Sequence, residues 1–124
     1  MKKVVLVADD SSTMRKFVSF SLKMKNLEVV VAEDGMDALE KISQTQVDLA
    51  IVDLNMPNMD GFELITNLRA SPDYKDLPII ILSSERGEAT KTRGKELGAD
   101  SYLVKPFDAK MIQYQVSKYL DLTD

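Results

Sequence analysis

The sequence predicts an α/β fold: a doubly wound sheet of five parallel strands with five helices. Two observations carry this. Five short apolar runs rich in branched residues recur along the 124-residue chain, the pattern of strands buried on both faces. Between these runs, and after the last, apolar residues fall at helical spacing, so strand and helix alternate as in a parallel sheet covered on both faces.

The first strand is expected at Val4–Ala8. Met14, Phe17, Val18 and Leu22 then follow i, i+3, i+4, i+8 spacing, one face of a helix, and Ser11-Ser12-Thr13 offers its N-cap. A second strand is expected at Leu27–Val31, with Asp34-Gly35 marking the joint before a helix through Ala38, Leu39 and Ile42. The third strand, Leu49–Asp53, precedes a helix carrying Phe62, Ile65 and Leu68; Ser71-Pro72 and Leu77-Pro78 then break the chain before Ile79–Leu82. The fourth helix, Arg86–Leu97, has only Ala89 and Leu97 as apolar residues and contains Gly87 and Gly94. Glycine inside a helix costs roughly 1 kcal/mol relative to alanine. This segment reads either as a solvated surface helix or as an element near a two-state balance. The last strand, Ser101–Val104, leads to a helix through Ile112, Val116, Tyr119 and Leu120. No repeat, low-complexity tract or linker interrupts the pattern, so a single domain over 1–124 is expected.

Composition removes several kinds of chemistry. The absence of cysteine excludes disulfides and thiolate metal sites, and the absence of histidine removes the commonest general base and metal ligand. A net charge of −4 argues against direct nucleic-acid binding. Met1-Lys2-Lys3 runs straight into the first strand, leaving no signal-peptide core, and no span reaches membrane length. A cytoplasmic protein without membrane insertion is expected.

The polar residues at the strand ends carry the functional signal. Asp9-Asp10 follow the first run, Asp53 closes the third, Ser83 follows the fourth and Lys105 the fifth. In an open parallel sheet the strand C-termini share one edge, where ligands bind. Taken singly, each has an ordinary explanation: Asp10 as a helix cap, Ser83 or Ser84 as another, Lys105 as a surface lysine. Together they place three carboxylates, a hydroxyl and an ammonium in one crevice. Two carboxylates about 4 Å apart repel by on the order of 4 kcal/mol at an effective dielectric near 20. Such a cluster shares a proton or binds a cation. All-oxygen donors suit a hard ion, Mg²⁺ first, then Mn²⁺ or Ca²⁺. With Lys105 and Ser83 beside it, a carboxylate can accept a phosphoryl group, and Asp53 is the candidate nucleophile.

These residues, with Leu54-Asn55-Met56-Pro57-Asn58-Met59-Asp60-Gly61 after Asp53, Ser83-Ser84 and Lys105-Pro106-Phe107, resemble the response-regulator receiver domain of two-component signalling. The resemblance spans the chain and implies the flavodoxin-like receiver fold. Within that family the Asn-Met-Pro-Asn-Met-Asp-Gly stretch looks most like the stand-alone chemotaxis response regulators. The resemblance implies that Asp53 takes its phosphoryl group from a phosphohistidine on a sensor histidine kinase. It implies Mg²⁺ ligation by Asp10, Asp53 and the backbone carbonyl of Asn55, with Asp9 acting largely through a water. Ser83 and Lys105 would bind phosphoryl oxygens, and the Lys105–Pro106 bond would be cis. Tyr102 matches an aromatic that swings inward with Ser83, while Asn55 and Glu85 would tune dephosphorylation.

Output would pass through the fourth helix, fifth strand and fifth helix, roughly Arg86–Leu97, Ser101–Val104 and Ala109–Leu120. Its target would be a protein, with the flagellar motor switch as the chemotaxis candidate. The implied state is a monomer or a phosphorylation-dependent dimer, catalysing only its own phosphorylation and dephosphorylation.

Two departures stand out: Ser83 replaces a commoner threonine, and Leu54 stands where the chemotaxis regulators have tryptophan. The chain's end at Asp124 suits a stand-alone regulator, a receiver of another phosphorelay or a fragment of a larger one. A haloacid-dehalogenase-type phosphatase is the remote alternative, but Asp10-Ser11-Ser12 lacks the second aspartate at i+2. A flavodoxin-like electron carrier fits less well, because Asp9-Asp10 would repel an FMN phosphate.

Overall fold

The computed structural model describes residues 2–122. Met1, before the first strand, and Thr123 and Asp124, at the end of the expected 1–124 unit, lie outside the described residues. Strands β1 (Val4–Ala8), β2 (Glu28–Ala32), β3 (Leu49–Asp53), β4 (Ile79–Ser83) and β5 (Ser101–Val104) alternate with helices α1 (Ser12–Lys23), α2 (Gly35–Gln44), α3 (Gly61–Ala70), α4 (Glu88–Leu97) and α5 (Ala109–Ser117). All strand pairings are parallel, in the order β2-β1-β3-β4-β5. The chain steps outward from β1 to β2, then crosses back to β3. The β1/β3 boundary is therefore the point where the winding reverses and a crevice opens.

Strand residues alternate between two cores because successive side chains point to opposite faces. Leu49 and Ile51 of β3 pack with Val18, Leu22, Ile112 and Val116 under α1 and α5. Ala50 and Val52 pack with Ala38, Leu64, Ile65 and Leu68 under α2 and α3. Both β3 and β4 are buried along their whole length, which is why their sequences show no polar alternation. Each fully buried leucine or isoleucine contributes roughly 1.5–3 kcal/mol.

Several expected boundaries move. β2 starts at Glu28 rather than Leu27, because the Leu27 N–H closes the end of α1 on the Leu22 carbonyl (3.3 Å), while Glu28 N–H begins the ladder on Lys3 (2.9 Å). β4 runs through Ser83, which pairs with Val104. Ser11 is the cap of α1, its side chain accepting from Met14 N–H. α4 starts at Glu88, so Gly87 is its N-cap and not an interior glycine; its extended backbone has no side chain to close the first turn. Gly94 is interior and buried, and a Cβ there would lie 2.6 Å from Ile81 Cδ1. Close approach of helix to sheet explains that glycine. α5 stops at Ser117 rather than Leu120, although Leu120 still reaches the core.

Candidate phosphorylation site

The strand ends meet as the alternation predicts. Asp53 is the last residue of the central strand and is 5% exposed; Asp9 and Ser83 are fully buried. Asp10 is exposed beside them, and ligand oxygens of Asp9, Asp10 and Asp53 all lie within 4.8 Å of one another. Because Ser11 caps α1, the Asp10 carboxylate is not used for that purpose.

Asp9 and Lys105 are held from behind. Asp9 Oδ1 accepts from the Ser11 N–H at 2.9 Å, and the Asp9 carbonyl accepts from Arg15 Nη1 at 2.7 Å. Lys105 N–H donates to the Ser83 carbonyl at 2.8 Å, carrying the β4–β5 ladder one residue past β5. The Lys105–Pro106 peptide is cis. Lys105 Nζ lies 3.4 Å from Asp9 Oδ2 and 3.6 Å from Asp53 Oδ1, a cation between the two buried carboxylates.

One ammonium does not balance three carboxylates. Burial, reinforced by the neighbouring Asp9 charge, pushes the Asp53 carboxyl up from 3.8 to about 6, against the opposing pull of Lys105 and of the Asn55 backbone N–H. The site is therefore short of positive charge at neutral pH. Its donors are all oxygen, and a pocket of this kind can hold a hard divalent cation.

Around this cluster, the segment after β4 is gripped from two sides. Ser83 Oγ accepts from the Glu85 N–H at 3.0 Å, while the Tyr102 hydroxyl donates to the Glu85 carbonyl at 2.8 Å. Tyr102 is half-buried and lines a cavity of about 290 Å³ between α4 and β5, with Lys91 and Lys95 on its rim. Glu85 and Asn55 are exposed at the mouth of the site.

The loop from Leu54 to Asp60 holds residues whose importance the sequence does not reveal. Gly61 N–H donates to the Leu54 carbonyl at 3.0 Å, and a Cβ on Gly61 would sit 2.4 Å from the Asp53 carbonyl oxygen. Glycine is required there by close approach of backbone to backbone. Asn58 has φ 67°, a left-handed conformation that asparagine tolerates. Its side chain donates to Asp34 at 2.7 Å. Asp34 before Gly35 is a recognisable cap signal, but nothing in the sequence pairs it with Asn58. Nor does any motif link Arg15 to Asp9.

Comparison with known proteins agrees with this geometry. The response regulator receiver domain matches residues 5–117, from within β1 to the end of α5. Protein PilG of Pseudomonas aeruginosa is 40% identical over 103 residues, covering 83% of this chain and 76% of PilG. Among solved structures, chemotaxis protein CheY4 of Vibrio cholerae is 38% identical with a TM-score of 0.92, covering 97% of this chain and 100% of CheY4. The Mn²⁺-bound form of response regulator Rcp1 is 27% identical with a TM-score of 0.86, covering 98% of this chain and 97% of Rcp1. An acidic crevice at the winding reversal of a five-stranded parallel sheet thus occurs in a chain matched almost end to end by one family. The chain belongs to the response regulator receiver domain family.

Proposed function

We propose that residues 1–124 act as a single receiver domain, a phosphoacceptor response regulator whose nucleophile is Asp53. The observation that carries this reading is the position of Asp53, buried at the end of the central strand with Lys105 Nζ 3.6 Å away. The carboxylate attacks the phosphorus of a phosphohistidine on a sensor histidine kinase. An O–P bond forms as the P–N bond breaks, and the electron pair returns to the imidazole nitrogen, which takes a proton. Hydrolysis reverses the gain: water displaces the carboxylate from phosphorus and releases inorganic phosphate.

Asp9, Asp10, Asp53 and the Asn55 carbonyl would hold Mg²⁺, with Mn²⁺ as a substitute. Bound there, the cation supplies countercharge to the carboxylates and to the phosphoryl oxygens. Lys105 offers a further positive charge and Ser83 a hydroxyl that donates to no acceptor among the described residues. Asn55 and Glu85, exposed beside the site, tune the approach of the hydrolysing water. No other substrate is turned over.

Glu85 joins the chemistry to the output surface. A shift of Ser83 toward the phosphoryl group pulls on the Glu85 N–H, and Tyr102 is bonded to the carbonyl of the same residue. Tyr102 and α4 then move together, changing the surface of α4, β5 and α5 for a downstream protein. Similarity to chemotaxis protein CheY4 supports a chemotaxis output, for which the flagellar motor switch is the proposed target. A receiver in a different phosphorelay, or within a larger regulator, is the second reading, favoured by the 37% identity to the probable transcriptional regulator ycf27 of Guillardia theta, of which this chain covers 47%. A cytoplasmic, monomeric state, dimerising at most on phosphorylation, suits this role; among the described residues no helix is long and apolar enough to cross a membrane.

The decisive test is labelling by acetyl phosphate with Mg²⁺. Wild type is expected to gain one phosphoryl group and Asp53→Asn none; undiminished labelling of Asp53→Asn would overturn the assignment. Amide exchange with beryllofluoride should change at Tyr102 and α4 together, and no change there would remove the switch.

A further inference from the structure

The loop that borders Asp53 is anchored from outside the site. It begins at Leu54, ends at the Asp60 cap of α3, and brings the Asn55 N–H close enough to the Asp53 carboxylate to pull its titration downward. Its own backbone closes through Gly61 to Leu54. Two contacts then tie its outer turn to the start of α2. Asn58 Nδ2 donates to Asp34 Oδ2 at 2.7 Å, and Gly35 N–H donates to the Met59 carbonyl at 3.0 Å.

Asp34 has two oxygens in two uses. Oδ1 accepts from the Asp37 N–H at 2.8 Å as the N-cap of α2, which leaves Oδ2 for Asn58. The contact is tight, since a Cβ on Gly35 would lie 2.6 Å from Met59 Cγ and 2.7 Å from the Met59 carbonyl oxygen. Asn58 meets it from a left-handed backbone, which aims its amide out of the loop toward α2. An exposed hydrogen bond adds little to global stability. Here it fixes a turn three residues from a proposed ligand carbonyl, and supports of this kind weigh far more on a site than on the fold.

We propose that Asp34 and Asn58 are a positioning pair for the phosphorylation site: their side-chain bond sets where the Asn55 backbone sits relative to Asp53. Neither residue touches the phosphoryl group. The inference rests on the proposed function for its chemistry, but the position of Asn55 can be read without metal or phosphate.

Asn58→Gly tests the pair cleanly, because glycine accepts φ 67° and deletes only the amide. The companion variant is the reversed pair, Asp34→Asn with Asn58→Asp. It keeps the net charge, leaves an amide oxygen to cap α2 and restores one donor and one acceptor across the gap. Two quantities are measured in each folded protein: amide-exchange protection of Asn55 in metal-free solution, and the dissociation constant for Mg²⁺ by calorimetry. Asn58→Gly is expected to lower Asn55 protection and weaken Mg²⁺ binding by about tenfold, with exchange in β1 and β3 unchanged. The reversed pair should return both to within about twofold of wild type, a margin well below that effect.

Unchanged Asn55 protection in Asn58→Gly, or failure of the reversed pair to restore it, would overturn the proposal. If wild type itself bound no Mg²⁺, the proposed function would fail while Asn55 protection still decided the role of the pair.

Discussion

Asp53→Asn should make the metal-free protein more stable, and the gain should depend on pH. In the folded chain the Asp53 carboxyl is raised from 3.8 to about 6, chiefly by burial and then by Asp9. The folded state therefore holds this proton more tightly than the unfolded chain does. Below about pH 4 the group is protonated in both states and imposes no penalty. Between about pH 4 and pH 6 the penalty for keeping it ionised builds, and above that it is complete. At 1.36 kcal/mol per tenfold change, the ceiling is about 3 kcal/mol. Water on the open Asp10 side screens part of it, so about 1–2 kcal/mol is the working value.

Asparagine removes the charge while keeping the shape. In chelator at pH 8 the variant should melt about 4–8 °C above wild type, taking about 4 °C per kcal/mol for a chain of this size. At pH 4.5 the gap should largely close. Saturating Mg²⁺ should raise wild type far more than the variant, shrinking or reversing the difference. Scanning calorimetry with and without Mg²⁺ at both pH values measures all of this. Equal melting at pH 8, or a gap that ignores pH, would refute the claim that Asp53 is a destabilised carboxylate.

Gly61→Ala forces a Cβ against the Asp53 and Leu54 backbone, which cannot move as a side chain would; urea denaturation should show a loss of about 2–3 kcal/mol. Arg69 donates to the Gly98 carbonyl at 2.8 and 3.0 Å, to the Tyr74 carbonyl at 2.8 Å and to Asp100 at 3.2 Å. Arg69→Ala should cost about 2–3 kcal/mol by urea denaturation, and Arg69→Lys should recover little because an ammonium cannot reproduce the fork. Since Arg69 lies at the opposite end of the sheet from the site, acetyl phosphate labelling per folded molecule should be unchanged. Lys105→Met removes the charge that pulls the Asp53 carboxyl downward, so a carboxyl-carbon titration by NMR should find it above about 6; a value at or below wild type would contradict the electrostatic account.

The fold was legible chiefly because its inner strands are buried on both faces: Leu49–Asp53 and Ile79–Leu82 admit no polar residue before their ends. Boundaries slipped where backbone groups changed partners, as at Leu27, whose N–H serves α1 instead of β2. The first layer of the site was legible for a related reason. A parallel sheet brings its strand ends together, so Asp9, Asp10, Asp53, Ser83 and Lys105 needed only the topology to meet. What the sequence concealed depends on contacts between loops. Asn58 reaching Asp34, Arg15 reaching the Asp9 carbonyl, and Tyr102 and Ser83 sharing Glu85 leave no periodic trace. The protonation of Asp53 was equally hidden, because it follows from a balance of burial and the Asp9 charge against Lys105, which depends on the three-dimensional packing.

Lys105 and Asp9 are 96 residues apart in the chain yet 3.4 Å apart in space. During synthesis the ribosome delivers Asp9 a full 96 residues before Lys105. The last strand must dock against β4 before an ammonium stands between the buried carboxylates. A nascent polypeptide without that strand has Asp53 but lacks its cationic partner. The charge balance of the crevice is thereby completed only when the fifth strand is in place, after every carboxylate of the cluster has been made.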